Sequence, residues 1–150
     1  VARHHRKLFW AGLVSEAAYL KASTLLPGAV REIAVYRTAT QVGCSWCVDF
    51  GTMLQRLEGL DVDRLRHIDS YATDPLYSHH ERLAIAYADA MTSTPTTVTD
   101  EQVAELQREF GHAGLVELTH AVALENMRAR SNHALGITAQ GFDAACKVRL

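Results

Sequence analysis

The stretch QVGCSWCVDFG, residues 41 to 51, places Cys44 and Cys47 three positions apart in a chain with three cysteines. A thiol pair at that spacing serves one of three purposes. It cycles between dithiol and disulfide, it supplies half of a metal site, or it fills core volume as two small side chains. If Cys44 opens a helix, both sulfurs lie on one face near the helix N-terminus. The unpaired backbone N–H groups and positive dipole end there favour thiolate over thiol. Thiolate is the reactive form, so a C-x-x-C in that place can form and break a disulfide. A zinc site needs a second Cys/His pair. No two histidines of this chain lie three or four apart, and no metal is expected.

Twelve residues before Cys44, Glu32 stands on a line with Val35, Ala39 and Val42. A carboxylate on an apolar stripe is either a salt-bridge partner or a partly buried group with a raised pKa. A group of the second kind passes a proton to or from a nearby thiolate. Gly51, one turn past Cys47 on the sulfur face, is a glycine inside a helix and costs about 1 kcal/mol against alanine. It allows close helix packing or leaves a cavity beside the sulfurs. The opposite face, Trp46, Phe50, Met53 and Leu57, reads as a core stripe, and Asp49 as a solvated or capping residue pointing away from the sulfurs.

The elements that must position these residues are helices throughout. Apolar side chains recur at helical period and no alternating strand pattern is present. Residues 4–24 read as a first helix that begins on the solvated HHRK, and LLPGAV breaks it. Pro27 suits the first turn of a second helix that ends near Gly43. A third runs from about Cys44 to Glu58, and Asp61 caps a short fourth through His67 and Ile68. Residues 79–93 form an amphipathic fifth. Thr99 and Gln102 resemble a capping box before a helix over 100–110. From Leu115 to Leu124 the chain is apolar nearly all round, the mark of a central buried helix. That helix then turns polar at Glu125, Asn126, Arg128, Arg130, Asn132 and His133, a pattern of buried networks or subunit contacts that Glu117 and His120 already begin. Asn126 and Arg130 are expected to hold helices or subunits together. Cys146, in a tail with one more short helix, reads as a free thiol. The expectation is a single all-α domain over residues 1–150, with about six to eight helices.

Bulk composition narrows the function classes. The chain of 150 residues is 48% hydrophobic and 21% charged, with a net charge of -2, long enough for one domain with a real core. That charge offers no footprint for nucleic acid. No apolar run approaches a membrane span, and residues 1–24 are too charged for a signal peptide. Few cysteines, in odd number, point away from a secreted disulfide framework and toward a reducing cytoplasm. The first residue is Val1 rather than methionine, so residues upstream are expected.

The run LLPGAVREIAVYRTATQVGCSWCVDFGTMLQRLEGLDVDRLRHI resembles the carboxymuconolactone decarboxylase and alkylhydroperoxidase D superfamily. Its redox branch carries a glutamate, eleven intervening residues, C-x-x-C, three more residues and a histidine. Glu32, Cys44 and Cys47 match in identity and spacing, and Pro27 and Gly59 also fit. ERLAIAYADAMTSTP and the helix ending in Asn126 and Arg130 look like the family's second half, so the likeness covers roughly residues 25–136. The resemblance implies a compact all-α fold that associates into trimers or hexamers. It also implies a dithiol that reduces peroxides, with Cys47 attacking, Cys44 resolving, Glu32 handling protons and a protein or thiol reductant restoring the pair. No cofactor is implied.

Two family positions differ. The histidine after the cysteines falls on Gly51, and the one that peroxidases of this type can carry before the second cysteine falls on Trp46. His67, His79, His80, His120 and His133 are the remaining candidates for a relay. Two other chemistries share the fold: decarboxylation of a lactone acid by polar and histidine side chains, and binding of a small apolar ligand without catalysis.

Overall fold

A computed structural model describes residues 4–142. Cys146 lies outside them. Five α-helices and one 3-10 segment make up the described chain: α1 Arg6–Ala22, α2 Gly28–Val42, α3 Ser45–Leu57, the 3-10 segment Asp63–Ser70, α4 His79–Thr92 and α5 Asp100–Ala134. There are no strands among the described residues, as the helical periodicity predicts.

Three of these helices build the core. α2 packs against α3, α4 and α5, and α4 packs against α5. Leu26, Val30 and Ala34 from the first strip meet Ala84, Tyr87 and Ala88 of α4 and Leu106, Leu115, Leu118 and Val122 of α5. A second cluster joins Ile33 and Tyr36 of α2 to Leu65, Ile68, Tyr77 and Ile85. Below this cluster, Arg64 and Glu81 form a buried ion pair. Burial alone would raise Glu81, but the Ser78 backbone N–H and the Arg64 guanidinium hold it below the usual carboxylate range. Ser78 and Glu81 form the capping box that starts α4.

The expected division between residues 100–110 and a helix from Leu115 takes the form of a break inside α5. Gly111 sits at φ 70° and ψ 171°, a left-handed φ that only glycine adopts freely, and the helix resumes on the other side. The stretch from Leu115 to Leu124 is central, as its apolar character requires, although Val116 faces solvent.

α1 is attached differently from the rest. It buries no residue. Polar ties hold its end: the buried Glu117 carboxylate accepts the backbone N–H groups of Thr24, Leu25 and Leu26 at 3.1, 2.9 and 3.2 Å, and Arg128 pairs with Glu16. The expectation that Asn126 and Arg130 hold helices together is met at the end of α4. Asn126 donates to the Thr92 hydroxyl at 3.0 Å, and Arg130 donates to the Thr92 carbonyl at 3.4 Å.

Leu118, fully buried on α5, and Val116, exposed two residues before it, give a matched pair for testing this core. Leu118→Ala is expected to cost about 2–5 kcal/mol in urea unfolding. Val116→Ala should change stability by no more than about 0.5 kcal/mol.

Candidate functional site

The site begins with a turn. Gly43, at φ 79°, ends α2 in the left-handed conformation, and its N–H reaches back to the carbonyls of Ala39 and Thr40. The N–H of Cys44 also returns to the Ala39 carbonyl at 3.0 Å. This tight reversal makes Cys44 the N-cap of α3. Its Sγ accepts the backbone N–H of Cys47 at 3.2 Å, where serine or aspartate would usually place an oxygen. One turn on, the Cys47 sulfur meets it. The two form a disulfide across Cα atoms 5.3 Å apart.

The cysteines share a buried cluster with Ala39 of α2 and Ala129 of α5, with Val42, Trp46 and Val48 partly buried against it. Both cysteines are buried, Cys44 at 2% exposure and Cys47 at 8%. One polar side chain reaches them. The Asn132 amide donates toward Cys47 Sγ at 3.5 Å and Cys44 Sγ at 3.8 Å. On reduction, the Cys47 N–H and the Asn132 amide are the donors that would hold a thiolate at this helix start. A cleft of about 540 Å³ opens beside Cys44, lined by Thr40, Ser45, Val48, Asp49 and Thr52 and, from the returning segment, by Ala139 and Gly141.

Asp49 has a larger task than solvation. Its Oδ2 accepts the backbone N–H groups of Gln140, Gly141 and Phe142 at 2.8, 2.8 and 3.1 Å, pinning the segment after α5 across the start of α3. The expected core stripe is overturned in part. Trp46 and Phe50 stack at 4.9 Å and receive Phe142 edge-on, so they bind this returning segment, and Leu57 is exposed. Of the two readings of Gly51, close packing is the one the structure favours: a Cβ there would meet Tyr36 Cδ2 at 3.7 Å, an ordinary contact.

Glu32 does not touch the dithiol. Its carboxylate takes the Arg31 guanidinium at 3.1 Å, and burial nonetheless pushes it above the ordinary value. Two helical turns separate it from Ala39, about 10 Å along the axis at 1.5 Å per residue. The histidines face other partners. His80 reaches Glu109 at 3.0 Å and touches the His79 ring, His67 lies 3.9 Å from Asp74, His120 packs on Tyr19, and His133 is exposed.

A second carboxyl, Glu125 of α5, stands one helical turn before Ala129, the α5 residue that clusters with the cysteines. It is 4% exposed. Oε2 takes Arg128 at 3.3 Å, while Oε1 is buried with no hydrogen-bond partner among the described residues. Burial pushes its pKa up to about 7, against the partial pull of Arg128 and with further push from Glu16 and Glu32. Sequence alone names Glu125 and Asn132 only as polar residues on a helix. The signal that would have found them is their register with Ala129, one turn after Glu125 and just before Asn132, on the face that meets the sulfurs. No group of three or more metal-ligating side chains forms among the described residues.

Comparison with known proteins follows this geometry. No family model matches the chain. Over 113 residues it is 38% identical to the uncharacterised protein YnjA of Escherichia coli (strain K12). That match takes in 75% of this chain and 62% of YnjA, so the chain spans less than two thirds of this relative's length. The fold is that of a protein of unknown function from Agrobacterium tumefaciens, provisionally assigned to antioxidant defence as AhpD. The two share 23% identity over 93% of this chain and 94% of that one, at a TM-score of 0.81. It is also that of the debrominase Bmp8, with 19% identity, 83% and 67% coverage and a TM-score of 0.74. A cysteine-to-alanine form of Bmp8 bound to 2,3,4-tribromopyrrole aligns at a TM-score of 0.76, 18% identity and 88% and 72% coverage.

The raised Glu125 has a consequence for stability. Folded Glu125 keeps its proton to about pH 7, whereas the unfolded side chain loses it near 4.5. Between those values the folded chain binds more protons, so stability falls as pH rises. Glu125→Gln removes the ionisation. Relative to the parent it is expected to gain on the order of 3 kcal/mol at about pH 8 and little at about pH 4, read by urea unfolding at both.

Proposed function

We propose, on the premise that this chain has the alkylhydroperoxidase D-like fold shared with carboxymuconolactone decarboxylases, that it is a thiol-dependent oxidoreductase that reduces peroxides through Cys44 and Cys47. The observation that carries this reading is the disulfide at the capped start of α3, with a backbone N–H and the Asn132 amide directed at its sulfurs. Two core thiols with no further role would need neither donor.

The cycle balances on these atoms. The Cys47 thiolate attacks the terminal peroxide oxygen; the S–O bond forms, the O–O bond breaks, and the departing alkoxide takes a proton to leave as alcohol. Cys44 then attacks the sulfenic sulfur of Cys47. The disulfide forms and the hydroxyl leaves as water with the thiol proton. An external dithiol, small or protein-borne, supplies two electrons to reopen it. Cys47 suits the attacking role as the more exposed of the two residues, and Cys44, accepting a helix N–H, suits the role of leaving thiolate when the pair is reduced. Glu32 manages protons in this cycle from a distance, with its neighbour Arg31.

A second substrate class is supported by the likeness to Bmp8 and by the apolar cleft beside Cys44. The same two electrons and a proton would replace bromine on a brominated pyrrole by hydrogen, releasing bromide. A lactone-acid decarboxylase would instead keep its activity after both thiols are alkylated.

α1 exposes Leu8, Trp10 and Val14, and Leu25 and Val116 lie exposed near its far end. Apolar surface of this kind marks an association face, in keeping with a homo-oligomer of three or six chains working in the cytoplasm. Sedimentation of the purified protein is expected to show that assembly, and Trp10→Glu with Val14→Glu to shift it toward monomer.

Cys47→Ser is expected to abolish peroxide consumption. Cys44→Ser should stop after one turnover, with Cys47 trapped as sulfenic acid, over-oxidised or in a mixed disulfide, as mass spectrometry would report. Equal activity in the two variants would overturn the reading.

A further inference from the structure

Glu125 is a carboxyl that the helix bundle has no structural need to bury. Arg128 already has a partner in Glu16 through two guanidinium nitrogens, and Glu125 Oε1 has none among the described residues. Such a group costs free energy unless it is neutral or used. Its position on α5 gives it a use. Ala129, one turn further on and about 6 Å along the axis, belongs to the buried cluster that holds both cysteines. Asn132, on the same face, donates to both. Glu32, seven residues before Ala39 on α2, acts on Glu125 electrostatically. Register along the two helices thus sets Glu125 one turn, and Glu32 two turns, from the alanines that cluster with the cysteines.

We propose that Glu125 is the proton store of the dithiol site, taking the proton that Cys47 gives up on becoming thiolate and returning it to the oxygen that leaves. The inference rests on the redox reading above. The balance is closed within the site: Cys47 S–H loses its proton to the Glu125 carboxylate, the thiolate attacks, and the Glu125 carboxylic acid protonates the alkoxide. Glu125 ends as carboxylate, ready for the next reduced pair.

The charges around Glu125 suit the task. Arg128 favours its ionised form, while burial, Glu16 of α1 and Glu32 of α2 favour the neutral one, leaving it balanced at about 7. Behind these stand Arg31 beside Glu32 and, at the end of α3, Glu58, which also acts on Glu32. From α1, Tyr19 places its ring under Arg128 at 5.9 Å. A carboxyl so balanced accepts and releases a proton at neutral pH with little bias.

The test needs no peroxide in its first arm. Carbon-13 NMR of glutamate-labelled protein is followed against pH in the disulfide and the reduced dithiol forms. One glutamate carboxyl is expected to titrate near neutrality, to disappear in Glu125→Gln, and to move its midpoint upward on reduction, because a thiolate then lies nearby. A midpoint unmoved by the redox state, or no such carboxyl, overturns the proposal even if Glu125→Gln fails to fold.

The second arm follows Cys47 alkylation and peroxide-driven disulfide formation. Glu125→Gln is expected to lose the inflection near neutrality in the alkylation profile, which Glu125→Asp retains, and to slow disulfide formation by roughly 10²-fold. Superimposable profiles for Glu125→Gln and the parent overturn the proposal. A redox-linked Glu125 in a protein whose thiols ignore peroxide leaves the proton store standing and removes the peroxidase reading alone.

Discussion

One sulfur atom does two jobs at the start of α3, and the rest of the site is arranged around that constraint. Cys44 Sγ caps the helix by accepting the Cys47 N–H, and it is also the atom to which the Cys47 sulfur is bonded. A cap must sit just outside the first turn with extended backbone, and Cys44 does so at φ -83° and ψ 92°. This is possible because Gly43, in a conformation that other residues adopt only at a cost, reverses the chain in one step after α2. A longer connection would move the sulfur off the helix axis and away from its N–H groups.

The remaining helices serve to bring small or polar side chains to that sulfur pair. Alanines at 39 and 129 let α2 and α5 approach it closely, since any larger side chain would push one helix outward. α5 must itself be held in register for Asn132 to reach both sulfurs. Its ties at Thr92 through Asn126 and Arg130, and to the α1–α2 linker through Glu117, fix that register from both sides. Asp49 then folds the chain after α5 back over α3, so that Ala139 and Gly141 line the cleft beside Cys44.

Two buried glutamates show how neighbours, and not burial alone, set the charge in this fold. Glu81 receives a capping N–H and a guanidinium that its surroundings leave otherwise unsatisfied, and it stays ionised. Glu125 shares its guanidinium with Glu16, has one oxygen without a partner among the described residues, and is pushed toward neutrality. The first arrangement anchors α4 against the 3-10 segment. The second leaves a group that titrates at about 7, one helical turn from the alanine that clusters with the disulfide, and perturbed carboxyls of this kind are candidates for chemistry.

The sequence by itself determined that the chain is helical, that α2 ends at Gly43, and that Cys44 and Cys47 share one face of a helix start. All of these follow from periodicity, caps and spacing within a few residues, and local sequence encodes local structure. Glu32 was legible as a carboxylate on an apolar stripe, but its separation from the sulfurs was not. The Trp46–Phe50 face read as core because apolar spacing cannot tell a core from the underside of a returning segment. What only the tertiary structure decided is the company each side chain keeps across elements: Tyr36 against Gly51, Asn132 over both sulfurs, and Glu125 with one oxygen unpartnered among the described residues. These depend on the relative placement of α1, α2, α3 and α5, which is set by the packing of whole helices, and no spacing along one strand of sequence carries that information.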